Sequence, residues 1–203
     1  MPGARRRRST TVADHTRSRR TRSAAPHTVG PERYWGWHRL RADWAARLVT
    51  DAGYGPDDLV LDLGAGDGAL TAPLAATGAR VLAVELHPER VRRLRRRFAE
   101  QPRVTVLELD LLDLRLPSRP FSVLANPPWS LAKPLIAALT APGTRLGRAD
   151  LVLQRGLVGD LGRKGTAGTG SRRRYRAEYL TSVPRWAFSP APPAPAAVLR
   201  LHR

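Results

Sequence analysis

Apolar residues in this chain fall into two recurring patterns. Short runs rich in branched side chains occur at Leu59–Leu63, Val81–Leu86, Val104–Leu109, Phe121–Ala125, Asp150–Leu153, Tyr179–Val183 and Ala197–Leu201, with longer helix-like stretches between them. From about residue 30 onward this alternation predicts βαβ units around a parallel sheet. The first four runs are almost continuously apolar, as expected of strands covered by helices on both faces. Between the second and third, Pro88 stands where a first helical turn begins, and Val91, Leu94 and Phe98 follow at spacings of three and four. One helical stripe is therefore expected to be buried. Arg90, Arg92, Arg93, Arg95, Arg96 and Arg97 fill the other positions, and a solvated face accounts for them better than an RNA-facing patch does. The expected architecture is α/β: a Rossmann-like, seven-stranded, mostly parallel sheet with helices on both faces.

Two segments break the alternation. Residues 156–174 hold six glycines together with Arg163, Lys164 and Arg172 to Arg174, which reads as a mobile basic loop after the fifth strand. The cluster Pro190, Pro192, Pro193 and Pro195 rejects helix and central strand, and predicts an extended turn into the last strand.

Composition narrows the possibilities further. At 203 residues, with 42% hydrophobic residues, the chain suits one domain with a real core. No apolar run is long enough for a membrane span, and no apolar signal-peptide core follows the arginine-rich start. A soluble, cytoplasmic protein is expected. The absence of cysteine excludes disulfides, thiolate metal sites and a cysteine nucleophile. The formal charge is +18, and residues 1–25 carry eight arginines against Asp14 alone. We expect residues 1–28 to form a disordered Arg-rich tail and residues 29–203 the folded domain. Removing the tail's +7 still leaves +11, so the domain is itself basic and a polyanion is the natural partner. An organelle transit peptide or a biased genome yields similar arginine excess; nucleic-acid contact is the reading we favour.

Candidate chemistry begins at Val60-Leu-Asp-Leu-Gly-Ala-Gly-Asp-Gly-Ala-Leu-Thr71, where a strand passes through Gly64, Gly66 and Gly68 into a helix opening near Ala69. Glycines there permit a tight turn and a close approach of backbone to ligand. The dinucleotide fingerprint fits the same letters, with Glu85 as the acid about twenty residues on. A carboxylate ending the second strand can accept from both ribose hydroxyls, of S-adenosylmethionine or of NAD. Asp110 ends the third strand, where it can accept from an adenine amino group, which favours S-adenosylmethionine. Each acid could instead cap a helix, and for Asp110 taken singly that reading is nearly as good.

The fourth strand ends in Ala125-Asn126-Pro127-Pro128-Trp129, at the sheet edge where ligands of this architecture bind. The exocyclic amine of adenine is a poor nucleophile because its lone pair is delocalised into the ring. The Asn126 side-chain oxygen and the Pro127 carbonyl can both accept from that NH₂ group and localise the pair. The prolines stiffen the loop, and Trp129 offers a face for an extruded base. In isolation Asn-Pro is ordinary turn chemistry; after a glycine-rich strand-loop-helix it is more informative.

These residues together resemble the Erm family of 23S rRNA (adenine-N6) methyltransferases, from about residue 34 onward. The glycine loop, Glu85, Asp110 and the tetrapeptide stand in that family's order. Arg185-Trp-Ala-Phe188-Ser-Pro190-Ala-Pro192 and Ala196-Ala-Val-Leu-Arg-Leu201 are similar to its F-x-P-x-P ending and final strand. The related small-subunit dimethyladenosine transferases usually carry N-L-P-Y, so Asn-Pro-Pro-Trp points to the resistance branch. The resemblance implies a class I S-adenosylmethionine-dependent methyltransferase fold and N6-methylation of one adenine in 23S rRNA. It further implies resistance to macrolide, lincosamide and streptogramin B antibiotics. It assigns catalysis to Asn126, Pro127, Pro128 and Trp129, and cofactor contact to His38, Leu40, Gly64, Gly66, Glu85, Asp110 and Asn126.

Two departures stand out. The family's Q-N-F-L reads Trp37-His38-Arg39-Leu40, and the helical C-terminal domain common in the family is expected to be missing. The expected partner is 23S rRNA, naked or in the assembling large subunit, met by a monomer with no membrane contact. Alternatives are another rRNA, DNA-adenine or protein-glutamine N-methyltransferase, or a non-catalytic RNA-binding factor.

Overall fold

Strands and helices alternate over much of the chain in a computed structural model that describes residues 38–167 and 175–203. In order they are β1 (Arg39–Leu40), α1 (Ala42–Ala52), β2 (Leu59–Leu63), α2 (Thr71–Ala76), β3 (Arg80–Glu85), α3 (Pro88–Arg97), β4 (Val104–Glu108) and β5 (Phe121–Ala125). There follow α4 (Ala132–Leu139), β6 (Leu146–Gln154), α5 (Arg155–Lys164), β7 (Thr166–Ala167), β8 (Tyr175–Val183), β9 (Phe188–Ser189) and β10 (Ala196–His202). The main sheet has the order β4-β3-β2-β5-β6-β10-β8-β7. Strands β4, β3, β2, β5 and β6 pair in parallel, whereas β10 runs antiparallel to both β6 and β8. This is the Rossmann-like sheet that the resemblance implies, with the two-residue β7 added at one edge.

Period-two alternation splits the core. Along β2, Leu59, Leu61 and Leu63 face the cluster that includes Leu135 and Leu139 of α4 and Val158 of α5. Val60 faces Leu48 of α1 and Leu74 of α2 on the other side. Successive residues of a strand point to opposite faces, so this one five-residue strand supplies both layers at once.

Strands β2 and β5 have the limits the sequence predicts, but β6 begins four residues before the expected Asp150 and β8 four before the expected Tyr179. Both extensions carry charges that hide a strand from a hydrophobic count. Asp150 of β6 lies opposite Arg200 of β10. Arg200 Nε and Nη2 donate to the two Asp150 oxygens at 2.7 and 2.8 Å, and only 2% of the Asp150 side chain is exposed.

The loop expected over residues 156–174 is corrected as well. Residues 155–164 form α5, and residues 168–174 lie outside the described residues. Gly156, Gly159 and Gly162 recur every third residue on this helix; a Cβ on Gly162 would stand 3.3 Å from the Tyr179 backbone nitrogen. Here glycine allows close packing of α5 on β8, and Leu157, Val158 and Leu161 join the core. The expected tail, residues 1–28, also falls outside the described residues. Among the described residues no helix is long and apolar enough to cross a membrane.

Candidate active site

The loops after β2, β3, β4 and β5 emerge side by side, because these strands are parallel neighbours, and ligands of open α/β sheets bind at that edge. The first loop leaves at Gly64, whose φ is 81°, a conformation glycine adopts without steric cost. A Cβ at Gly64 would lie 3.3 Å from Pro128 Cδ and 3.5 Å from Pro127 Cα. Bare backbone therefore lets the glycine loop touch the turn after β5. Gly68 also has φ 81°; a Cβ there would stand 2.9 Å from Phe98 Cε2 and 3.0 Å from Leu94 Cδ2, so its absence seats α3 against the loop.

Glu85, buried at the end of β3, holds the same loop. Its Oε2 accepts the Gly66 N–H at 2.8 Å, and its Oε1 accepts the N–H groups of Leu86 and His87 at 3.0 and 2.9 Å. A carboxylate offers about four acceptor positions, so the main chain occupies three and one is open to a sugar hydroxyl. Neither acid caps a helix: the cap of α3 is His87, whose Nδ1 accepts the Glu89 N–H, and Asp110 Oδ1 accepts the Leu112 N–H at 2.9 Å within a turn beyond β4.

Asn126 follows β5, and its Nδ2 donates to the main-chain carbonyl of His38 at 2.7 Å. A carbonyl can only accept, so the amide nitrogen faces His38 and Oδ1 is the atom presented as an acceptor. The unusual residue at position 38 serves this contact through its backbone, which any residue supplies. The His38 ring instead lies with Nδ1 3.3 Å from the Pro190 carbonyl and its centroid 5.8 Å from that of Trp129. Arg39 is exposed where the family pattern has a packed phenylalanine, and its backbone pairs with Ser189.

Two adjoining cavities collect these groups. One is lined by His38, Gly64, Glu85, Asp110, Asn126 and Pro128, with Leu86 and Leu111 as apolar walls. The other is lined by Leu40, Gly64, Gly66 and Asn126, among others. Gly64 and Asn126 belong to both. Pro127 and Trp129 line neither: Pro127 is buried, and Trp129 is half-buried against both core clusters. The face expected of Trp129 for base stacking is therefore partly used in packing.

Two buried charged residues of the lining escaped the sequence reading. Arg90, assigned there to a solvated face, is only 4% exposed and lines the Glu85–Asp110 cavity. Its signal was available, since residue 90 lies one helical turn before Leu94 on the buried side. Asp62, an acid inside an apolar strand, is 1% exposed, accepts from Thr71 Oγ1 at 2.6 Å and lines the second cavity. Burial pushes its pKa up from 3.8 to about 7, and nearby Glu85 adds to the rise against the Thr71 hydrogen bond. The folded state thus keeps a proton that the unfolded chain loses from about pH 4 upward, so this group's contribution to stability falls as pH rises toward 7. In Asp62→Asn the decline in melting temperature between pH 5 and 8 is expected to flatten; an unchanged slope would remove Asp62 as its source.

The geometry can be set beside known proteins. A family profile described as Ribosomal RNA adenine dimethylase matches residues 43–203. The Ribosomal RNA small subunit methyltransferase A of Synechococcus sp. (strain JA-2-3B'a(2-13)) is 35% identical, over 84% of this chain and 67% of that protein. The mycinamicin-resistance protein MyrB of Micromonospora griseorubida is 36% identical over 71% of this chain, which spans only 46% of that relative. Among solved structures, the 23S rRNA methyltransferase ErmE superposes with a TM-score of 0.68 at 25% identity, covering 81% of this chain and 69% of that one. A glycine loop bound to a strand-end carboxylate, an adjacent asparagine with its oxygen turned outward, and a match across most of the chain converge on one conclusion: the chain belongs to the ribosomal RNA adenine dimethylase family of S-adenosylmethionine-dependent methyltransferases.

Proposed function

We propose that this chain methylates N6 of one adenine in 23S rRNA and thereby confers macrolide, lincosamide and streptogramin B resistance. The observation that carries the adenine chemistry is the orientation of Asn126, whose amide nitrogen is committed to the His38 carbonyl. Its Oδ1, with the Pro127 carbonyl, accepts the two N6 hydrogens and localises the lone pair toward the methyl donor. The new N–C bond would form as the methyl–sulfur bond breaks, sulfur keeping the electron pair as a neutral thioether, and the extra proton on nitrogen departs to solvent.

S-adenosylmethionine, when bound, supplies an electrophilic methyl group. The donor set fits it: Glu85 keeps one acceptor position for a sugar hydroxyl, Leu86 and Leu111 offer apolar walls to a purine, and Asp110 has an oxygen left for the adenine amine. His38, Leu40, Gly64 and Gly66 complete the enclosure.

The 23S assignment is supported by Asn-Pro-Pro-Trp in place of N-L-P-Y, by MyrB and by the likeness to ErmE. Small-subunit RNA is the second reading, favoured by the 35% identity to a small-subunit methyltransferase. Tritium transfer from labelled S-adenosylmethionine to naked 23S and 16S rRNA separates them, with primer extension and mass analysis to place the modified adenine. Label in 23S is expected. Label confined to 16S selects the second reading, and label in neither overturns both.

A further inference from the structure

Among the described residues, Trp186 is the most exposed large apolar side chain, at 62%. It is nevertheless firmly held. Trp186 sits in the short 3-10 turn Arg185–Ala187, where Arg185 Nε donates to the Pro192 carbonyl at 2.9 Å and the Ala187 carbonyl accepts the Arg41 N–H at 2.8 Å. The next two residues, Phe188 and Ser189, pair with Leu40 and Arg39 of β1. That strand continues from His38, whose carbonyl fixes Asn126. From His38 to Arg41 is three residues, about 10 Å of extended chain, so the indole is tied to the same strap that orients the catalytic candidate.

Exposed arginines stand on the segments that carry and anchor this indole. Its ring meets the buried Trp44 edge-on, with centroids 5.9 Å apart and planes at 71°, and the Arg47 guanidinium lies 5.2 Å from the Trp44 ring centroid. Arg39, Arg41 and Arg185 are exposed on the segments that carry or anchor the turn. The acids on the neighbouring helix are Asp43 and Asp51, the latter 3.7 Å from Arg47 Nε. A single held indole on a turn whose own and anchoring segments carry exposed arginines is a poor match for an apolar protein surface, which needs a continuous apolar patch. It matches an unpaired nucleotide, whose base stacks on an aromatic ring while its phosphates meet guanidinium groups.

We propose that Trp186 is a stacking platform for an unpaired nucleotide of the substrate RNA beside the target adenine, with Arg39, Arg41 and Arg185 receiving the flanking phosphates. This rests on the rRNA reading above and identifies the form of RNA that reading requires: single-stranded next to the modified base. Trp186 acts in binding and positioning, outside the chemical step.

The test uses the full chain, with Trp186→Ala and Trp186→Phe compared by thermal denaturation to verify folding. Equilibrium binding is measured with an unpaired adenine-containing oligoribonucleotide and with a fully paired duplex, alongside rRNA methylation kinetics and S-adenosylmethionine affinity. Trp186→Ala is expected to weaken single-strand binding about tenfold and to raise the KM for RNA, with kcat and cofactor affinity nearly unchanged. Trp186→Phe is expected to restore most of the affinity, and duplex binding to change little. Single-strand affinity unaltered in Trp186→Ala overturns the platform, whether or not self-association changes. Should wild type methylate no RNA, the functional reading fails, while the oligonucleotide comparison still decides the platform.

Discussion

Asn126→Ala is expected to bind S-adenosylmethionine nearly as well as wild type and to lose at least tenfold in methyl transfer, about 1.4 kcal/mol of barrier. The reason lies in direction. An acceptor for the N6 hydrogens acts only if its oxygen faces the base, and the 2.7 Å bond from Nδ2 to the His38 carbonyl sets that direction before substrate arrives. Asn126→Asp sharpens the test: it keeps an oxygen but places a carboxylate against the carbonyl, so transfer is expected to fall there too. Single-turnover rates with saturating rRNA, together with cofactor titration, read both quantities. Turnover in Asn126→Ala equal to wild type would falsify the assigned role.

Arg200→Met is expected to lower folding stability by about 3–5 kcal/mol, the largest change among the described ion pairs. Asp150 is 2% exposed and takes both of its strongest hydrogen bonds from Arg200, across the β6–β10 register. Without that partner the carboxylate is left buried, its remaining ion pair among the described residues being with Arg148 Nε, 3.7 Å away. Replacing both members, as Asp150→Leu with Arg200→Met, is expected to recover most of the loss, because desolvating two charges consumes much of what their attraction returns. Urea unfolding of wild type, the single and the double variant measures this. A single variant within about 0.5 kcal/mol of wild type, the usual range for surface substitutions, would place the pair among surface contacts of little consequence.

The same pair shows where a linear reading loses resolution. Strands β2 and β5 were legible to their ends because every position in β2 is buried and all but Asp62 are apolar, and nearly every position in β5 is buried and apolar. Strand β6 was read too short because Arg148 interrupts its apolar run, and the groups that Arg148 and Asp150 hydrogen-bond, Ala52 and Arg200, lie about fifty residues away or more. Helix α5 was hidden by glycines that mark loops when exposed and close contacts when packed on a strand. Arg90 was misplaced by charge: arginine argues for solvent in a composition count, yet here it lines a cavity that also holds two carboxylates.

Local order along the chain determined the sheet class, the glycine loop, Glu85, Asp110 and the Asn-Pro-Pro-Trp turn, since each depends on spacing within one strand-loop-helix unit. Tertiary structure alone decided which atoms those residues have left to offer. Glu85 spends three acceptor positions on main-chain amides, Asn126 turns its oxygen outward because a carbonyl from position 38 takes its nitrogen, and Asp62 is buried beneath the loop. Hydrogen-bond capacity is finite and is shared among groups that only folding brings together, so the types of the site residues can be read in one dimension and their free valences only in three.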